Sequence, residues 1–470
     1  MNAKKIAAFA IGPIGSAALG FITLPLITWF YSAEDVGRIA MLQVLLSFCV
    51  LVFALGLDQA YVRNYHDSQN KPSLLKTSLT PGFLLLIIAS VCALLFPGAI
   101  SELLFGVKST LISVVIVSCM LAALVSRFLS LVLRMQEKGL AFSLSQLLPK
   151  IVFIFILVTY ITFSFGNDFR HLIIAHAISI ITVTIIFAWN TRQVWLAAYK
   201  EPIDQNELTT MLSFGMPLIV GGAAFWGLTA IDRLFLRSFS TFEELGVYSV
   251  ASSFAAVAII FQSVFSTVWA PTVYRWASEG LNNEKIDSVT EHVLATVVFI
   301  FILAGLFSGV VSYILPKEYG NVQYILVACM AYPLFYTLSE TTVVGLGITR
   351  KSSYAMIASL LAVLVNLIGN YLLVPKYGAA GASVSTAIAF WIFLVCRTEF
   401  SCISWRQLPR TKLYSVTFAC LIACVGTSLC GSNYPSLAVF PWILIGCTSL
   451  YIFRSSIGAA RAEFIRQIQQ

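Results

Sequence analysis

Charge is scarce in this chain. Of its 470 residues only 11% are Asp, Glu, Lys or Arg, against roughly 25% in a soluble domain, and that level cannot keep a fold of this size in water. No G-x-x-x-x-G-K-S/T phosphate loop is present, which excludes ATP hydrolysis by that route. Nor is there a dense basic run of the kind that forms a nucleic-acid tail, so the net charge of +8 implies no nucleic-acid partner. The ten cysteines lack the paired spacing of a zinc site and the Cys-rich loop of a disulfide framework. Most of them, Cys49, Cys119 and Cys424 for example, fall in apolar segments, where cysteine packs as a small hydrophobe. No metal or organic cofactor is expected.

What the chain has instead is apolar sequence: 59% of it is hydrophobic, in long blocks separated by short polar breaks. A spanning helix needs roughly 20 such residues, and hydrocarbon leaves only helices or closed barrels as spanning structures. Barrel strands alternate apolar and polar residues, and the runs 83–96 and 289–315 do not. The sequence therefore predicts an all-α membrane protein with about fourteen transmembrane helices. They lie near 6–30, 37–60, 80–98, 109–133, 146–165, 171–190, 210–236, 247–270, 290–315, 322–347, 354–374, 380–400, 412–430 and 437–454. Lys4 and Lys5 before the first block suit a signal peptide, but the block is longer than an h-region of roughly 7–15 residues, and it reads as a retained span.

Loop charge predicts the orientation. With the N-terminus inside, about 21 basic residues fall on the cytoplasmic side, Lys150, Arg350, Arg397, Arg461 and Arg466 among them, against 6 on the other. That excess places both termini in the cytoplasm. The longest loops, near 191–209 and 271–289, are about 20 residues, too short for a soluble domain.

A repeat divides the chain. Gly12-Pro13, Glu34-Asp35-Val36-Gly37 and Tyr61-Val62-Arg63 recur in order as Gly215-Met216-Pro217, Glu243-Glu244-Leu245-Gly246 and Val273-Tyr274-Arg275. The copies enter with the same orientation, which predicts two parallel six-helix lobes, 1–200 and 201–408, with two further helices and a cytoplasmic tail in 409–470.

The stretches Phe214-Gly215-Met216-Pro217-Leu218-Ile219, Asp232-Arg233 and Leu245-Gly246-Val247-Tyr248-Ser249-Val250-Ala251 resemble the middle of the polysaccharide biosynthesis, or O-antigen flippase, family. So do Gly56-Leu57-Asp58-Gln59-Ala60-Tyr61-Val62-Arg63 and the segment from Tyr371 through Val374-Pro375-Lys376-Tyr377-Gly378 to Ala382. This family belongs to the multidrug/oligosaccharidyl-lipid/polysaccharide exporter superfamily. The resemblance implies a V-shaped cavity between the lobes, alternating access, and a polyprenyl-pyrophosphate-linked oligosaccharide as cargo. It also implies a bacterial inner membrane, with membrane lipids and polysaccharide polymerase machinery as partners.

Such a cargo defines what to look for. Each unpaired sugar hydroxyl costs several kcal/mol in hydrocarbon, so a wet polar cavity is needed, with guanidinium groups to grip the pyrophosphate. Arg63 and Arg275, closing corresponding spans of the repeat, are candidates for that grip. Arg127, about two turns inside span four, either lines the cavity or snorkels to the headgroups. Glu340, a mid-span carboxylate read as solitary, is the first candidate for coupling to H⁺ or Na⁺. Asp232 is the second, although Asp232 and Arg233 also suit a local structural ion pair. Asn366 and Asn370, one turn apart, either contact sugar hydroxyls or bond between helices. His176 reads as a packed histidine. An exporter of small cationic drugs is the alternative on the same scaffold. A membrane glycosyltransferase or polymerase needs a large outer loop that is missing here, and a pure scaffold leaves the mid-span charge unexplained, so the chain is not expected to be an enzyme.

Reporter fusions test this topology. Fusions at Gly37, Lys108, Lys317 and Ser432 are expected to read the outer face, and fusions at Lys71, Lys285 and Arg406 the cytoplasm. An inside signal at Lys317 breaks the fourteen-span arrangement.

Overall fold

The computed structural model describes residues 3–163, 166, 168–279, 283–349 and 351–454. Arg350, Arg461 and Arg466 lie outside these. The regular elements among the described residues are all helical. Contacts divide the chain into two compact units, Met1–Arg233 and Leu234–Gln470. The first holds α1 (Ala3–Phe30), α2 (Ala33–Phe53), α3 (Leu57–Asn64), α4 (Lys71–Leu94), α5 (Ala99–Phe105), α6 (Thr110–Met135), α7 (Gly139–Thr162), α8 (Phe169–Asn190) and α9 (Arg192–Lys200). α10 (Gln205–Phe239) crosses the division. The second unit continues with α11 (Phe242–Phe254), α12 (Ala256–Ser278), α13 (Asn283–Phe307), α14 (Val311–Ile314), α15 (Val322–Thr342) and α16 (Val344–Ile348). It ends with α17 (Ser352–Ser404), α18 (Thr411–Cys430) and α19 (Pro435–Ile452).

Among the described residues eleven helices are long and apolar enough to cross a membrane, and Ala18–Phe30 and Ala438–Ile452 are shorter apolar stretches. α17 is two helices joined at Gly378, whose φ of 51° and ψ of −126° no helix contains. Splitting it there gives fourteen apolar segments among the described residues. The chain is a multi-pass α-helical membrane protein.

Two expectations need correction. The second span, expected as one helix over 37–60, is broken between Phe53 and Leu57. The segments 191–209 and 271–289, expected as loops, are largely helical: α9 and the start of α10 occupy most of the first, and α12 and α13 run into the second. Hydropathy detects the apolar length of a helix and misses its polar ends.

α2 and α11 begin alike. The Ser32 hydroxyl accepts the Asp35 N–H at 3.2 Å to cap α2, and the Thr241 hydroxyl accepts the Glu244 N–H at 3.1 Å to cap α11. Each helix carries two acidic residues in its first turn, where they favour the positive end of the helix dipole.

In the first unit α6 packs against α2, α4 and α8, and α1 lies along α7. In the second, α15 is surrounded by α11, α12, α13, α17 and α18. Its Thr337, Ser339 and Thr341 hydroxyls bond back to carbonyls of their own helix, so these three are satisfied without water. α13, α18 and α19 meet at Trp442. The indole stacks on Phe301 at 6.3 Å between ring centres and donates to the Thr427 hydroxyl at 3.2 Å. Its ring fills the space where a Cβ on Gly305 would stand. At one end of this unit Arg406 pairs with Asp287 at 2.5 Å, Lys412 with Glu291 at 2.6 Å and Arg410 with Glu399 at 2.9 Å.

Gly305→Leu is therefore expected to lower the thermal midpoint of the purified protein, overpacking of this kind costing about 1–3 kcal/mol. Gly426→Ala, where a Cβ meets nothing within 4 Å, leaves the midpoint unchanged. Equal midpoints for the two variants would remove Trp442 as the packing constraint.

Candidate functional site

The site begins at the break in the second span. Leu55 and Gly56 both take positive φ, 54° and 66°. Gly56 adopts this region freely and Leu55 only under constraint. The constraint is close approach of other helices. A Cβ on Gly82 of α4 would land on the Phe53 carbonyl, and a Cβ on Gly215 of α10 would meet the Leu55 and Gly56 backbone. Glycine at 56, 82 and 215 lets three backbones meet at the break. α3 restarts there, with Asp58 in its first turn.

Asp58 is 8% exposed. Its Oδ2 accepts Arg127 Nε at 3.1 Å and Nη2 at 2.7 Å. Gln59 Nε2 also donates to Oδ2, at 3.4 Å. Arg127 thus does not snorkel: it turns inward to a carboxylate, and Nη1 has no protein partner among the described residues. The pair stands on a cavity of about 360 Å³ bounded also by Ser47, Gln59, Gly222 and Trp226. Trp226 is held by donation from its indole N–H to the Ser47 hydroxyl at 3.0 Å and by contact with Phe48. Arg127 also lines a second cavity, of about 500 Å³, with Ser126, Ser130, Ser145 and Gln146. The guanidinium is the charged group common to both.

Sequence reasoning missed Asp58 as a site residue, although it lies in the motif from Gly56 to Arg63. It also counted Lys150 as cytoplasmic. Lys150 sits near the middle of α7, and its ammonium donates to the Ser16 carbonyl of α1 at 2.5 Å.

None of the other predicted residues lines either cavity. Arg63 is exposed near the end of α3, its guanidinium over the Phe214 ring at 4.3 Å. Arg275 is exposed towards the end of α12. Asp232 is buried, and Arg233 donates to the Thr229 carbonyl at 3.1 Å. Asn366 and Asn370 are fully buried. Asn366 donates to the Thr386 hydroxyl at 3.0 Å and accepts from Ser385 through its carbonyl at 2.9 Å. Asn370 donates to that same Asn366 carbonyl at 2.9 Å. The bonds of Asn366 to Thr386 and Ser385 join the two halves of α17, and that of Asn370 lies within the first half.

Glu340 is not solitary. Arg397, expected in a cytoplasmic segment, lies in the second half of α17 with its side chain 12% exposed, and its Nη1 is 3.9 Å from Glu340 Oε1. The same nitrogen donates to the Ser339 hydroxyl at 2.8 Å, and the guanidinium lies over the Phe393 ring at 4.7 Å. An acid and a base, far apart in sequence, neutralise each other between α15 and α17.

Apolar helices, a broken second span and ionic pairs set inside the spans mark a multi-pass membrane protein with a polar interior. The fold is shared with the lipid II flippase MurJ in an inward closed conformation, at a TM-score of 0.68 and 15% identity over 96% of this chain and 99% of that one. It is shared also with an inward-facing multidrug resistance MATE transporter of the MOP superfamily, at a TM-score of 0.60 and 14% identity over 84% of this chain and 97% of that one. Residues 3–277 match the polysaccharide biosynthesis protein family, and the chain belongs to that family. Relatives include a probable low-salt glycan biosynthesis flippase of Haloferax volcanii, 21% identical over 50% of this chain. The match spans about half of that protein's length, 53%. A capsular polysaccharide biosynthesis protein, CapF, of Staphylococcus aureus is 24% identical over 55% of this chain and 65% of its own length. An uncharacterised membrane protein of Methanocaldococcus jannaschii is 24% identical over 77% of this chain and 76% of its own.

The ion pair predicts a non-additive pair of variants. Arg127→Leu strands the Asp58 carboxylate, which costs about 3–5 kcal/mol in a fully buried pair and less here, because Arg127 is 38% exposed. Adding Asp58→Asn is expected to recover most of the lost thermal midpoint. A double variant no more stable than Arg127→Leu would show that the pair is not coupled.

Proposed function

We propose that this protein is a flippase that carries a polyprenyl-pyrophosphate-linked oligosaccharide from the cytoplasmic to the periplasmic leaflet of a bacterial inner membrane, by alternating access and with both termini in the cytoplasm. The observation that carries the reading is the Arg127–Asp58 pair on the wall of the first cavity, with the Arg127 guanidinium also reaching the second, in a chain of the polysaccharide biosynthesis family.

The empty site is neutral, because Asp58 balances Arg127, so no bare charge sits at membrane depth. An arriving pyrophosphate competes with Asp58 for the guanidinium and takes the unused Nη1, a charge-assisted contact. Serine, glutamine and tryptophan around the cavities suit sugar hydroxyls and ring faces. A cationic drug would need a carboxylate with spare charge, and Asp58 has given its charge to Arg127, which disfavours the multidrug reading. Arg63 and Arg275 serve as first phosphate contacts on the cytoplasmic side. Uptake of H⁺ or Na⁺ at Glu340, with Asp232 as second candidate, drives the cycle by loosening a paired charge. Asn366 and Asn370 reach sugar only if the two halves of α17 part. Polymerase machinery receives the product.

The test is a deletion strain. Lipid-linked saccharide is expected to accumulate and surface polysaccharide to fall, both reversed by the wild-type gene. With membrane levels matched, Arg63→Ala or Arg275→Ala is expected to lower export about tenfold, the worth of one charge-assisted contact. Arg→Lys at either site restores it only in part, because an ammonium lacks the planar fork. A deletion strain with normal surface polysaccharide and no accumulated lipid-linked saccharide overturns the reading.

A further inference from the structure

We propose that the second unit carries a separate binding pocket for a single sugar ring, built where the start of α11, the start of α15, the Gly378 break of α17 and the end of α18 come together. The cavity is about 250 Å³ and is lined by Glu244, Asn321, Tyr324, Tyr377, Ser432 and Asn433, with small or aliphatic residues between them. This is a polar wall in a chain poor in charged side chains, and none of the residues of the Arg127 cavities contributes to it.

The wall is rigid where it needs to be. Glu244 Oε2 accepts the Ala379 N–H at 2.7 Å, which caps the second half of α17. The carboxylate fills the space that a Cβ on Gly378 would take. The Tyr324 ring stands against Gly431, where a Cβ would overlap it. The Ser428 hydroxyl donates to the Tyr324 carbonyl at 3.2 Å and ties α18 to α15.

Its hydrogen-bonding capacity is unspent. Among the described residues, Glu244 Oε1, the Asn321 and Asn433 amides, the Ser432 hydroxyl and the Tyr377 phenol have no protein partner. A carboxylate accepts from two vicinal hydroxyls, and an amide both donates and accepts. Tyrosine offers an apolar ring face beside a polar tip. That set matches a neutral polyol ring. An anion is opposed by Glu244. A divalent cation calls for several carboxylates, and no cluster of three His, Cys, Asp or Glu residues exists among the described residues. The volume is below the roughly 300–1,000 Å³ of drug-sized sites, so it admits one ring and not a whole oligosaccharide. Because Glu244 also fixes the Gly378 break, a sugar on its free oxygen bears on the joint between the two halves of α17.

The inference rests on the reading of the cargo as a lipid-linked saccharide. The test uses the full-length protein in lipid nanodiscs, with N-acetylglucosamine, galactose and rhamnose as separate probes in saturation-transfer NMR. It also uses surface polysaccharide in cells. Asn321→Leu combined with Asn433→Leu is expected to weaken the sugar signal about tenfold, as loss of two hydrogen bonds implies. Export is expected to fall several-fold at an unchanged membrane level. If the double variant is poorly inserted, Glu244→Gln, which keeps an acceptor for Ala379, takes its place with the same expectation. Wild-type export by the inserted variant, no signal from any probe on the wild-type protein, or a signal equal in variant and wild type overturns the pocket. In that case a deletion strain that still accumulates lipid-linked saccharide leaves the flippase reading standing. A deletion strain that accumulates none sinks that reading instead.

Discussion

A helix interrupted inside a membrane exposes backbone groups that hydrocarbon cannot satisfy, and the places where this chain breaks its helices organise the rest. At the first break, glycines on α4 and α10 allow neighbouring backbones to close directly on residues 53–56. At the second, a carboxylate from α11 reaches over to cap Ala379. Each repair also delivers polar chemistry. Asp58 opens the helix that follows the first break, and the polar pocket of the second unit is walled by the residue that caps the other. Irregular backbone within a span is tolerated where protein or a cavity surrounds it, and both conditions are met at the first break; the second lies in the turn between two spans.

Charge follows the same logic. An ionised side chain at membrane depth is costly when alone, and three of the basic residues within spans have a fixed oxygen partner. Arg127 has Asp58, Arg397 has Glu340 and the Ser339 hydroxyl, and Lys150 has the Ser16 carbonyl. Two of these arrangements are neutral as pairs, and the third is a lone ammonium held by a neutral carbonyl. A transporter needs charges that can change partner. Pairs that are neutral at rest let the empty protein keep such charges inside the membrane.

The spans were legible because their signal is local: a run of apolar residues of bilayer length reads the same in any tertiary setting. The α17 hairpin was also legible, with Pro375 and Gly378 between two apolar runs. The break before Leu57 was not, since a positive φ at Leu55 arises from Gly82 and Gly215, distant positions whose approach no window detects. The same distance hid the pairs. Asp58 lies in the motif from Gly56 to Arg63 and Arg127 in an apolar run, and nothing in either segment names the other. Glu340 looked solitary because Arg397, near the end of an apolar run, was assigned to a loop. Asn366 and Asn370 were placed in the right span, but which side of it they face is a tertiary fact.

The ion pairs at one end of the second unit give the same residues two occupations at different times. Arg406 and Lys412 find Asp287 and Glu291 only after α13 and α18 have come to lie together. While the chain is being threaded into the bilayer they are bare positive charges, the state in which basic residues instruct the insertion machinery. Once folded, they are neutralised and serve as clasps. The positive charge of these two residues is therefore balanced in the mature protein, whereas that of Arg63 and Arg275 stays exposed.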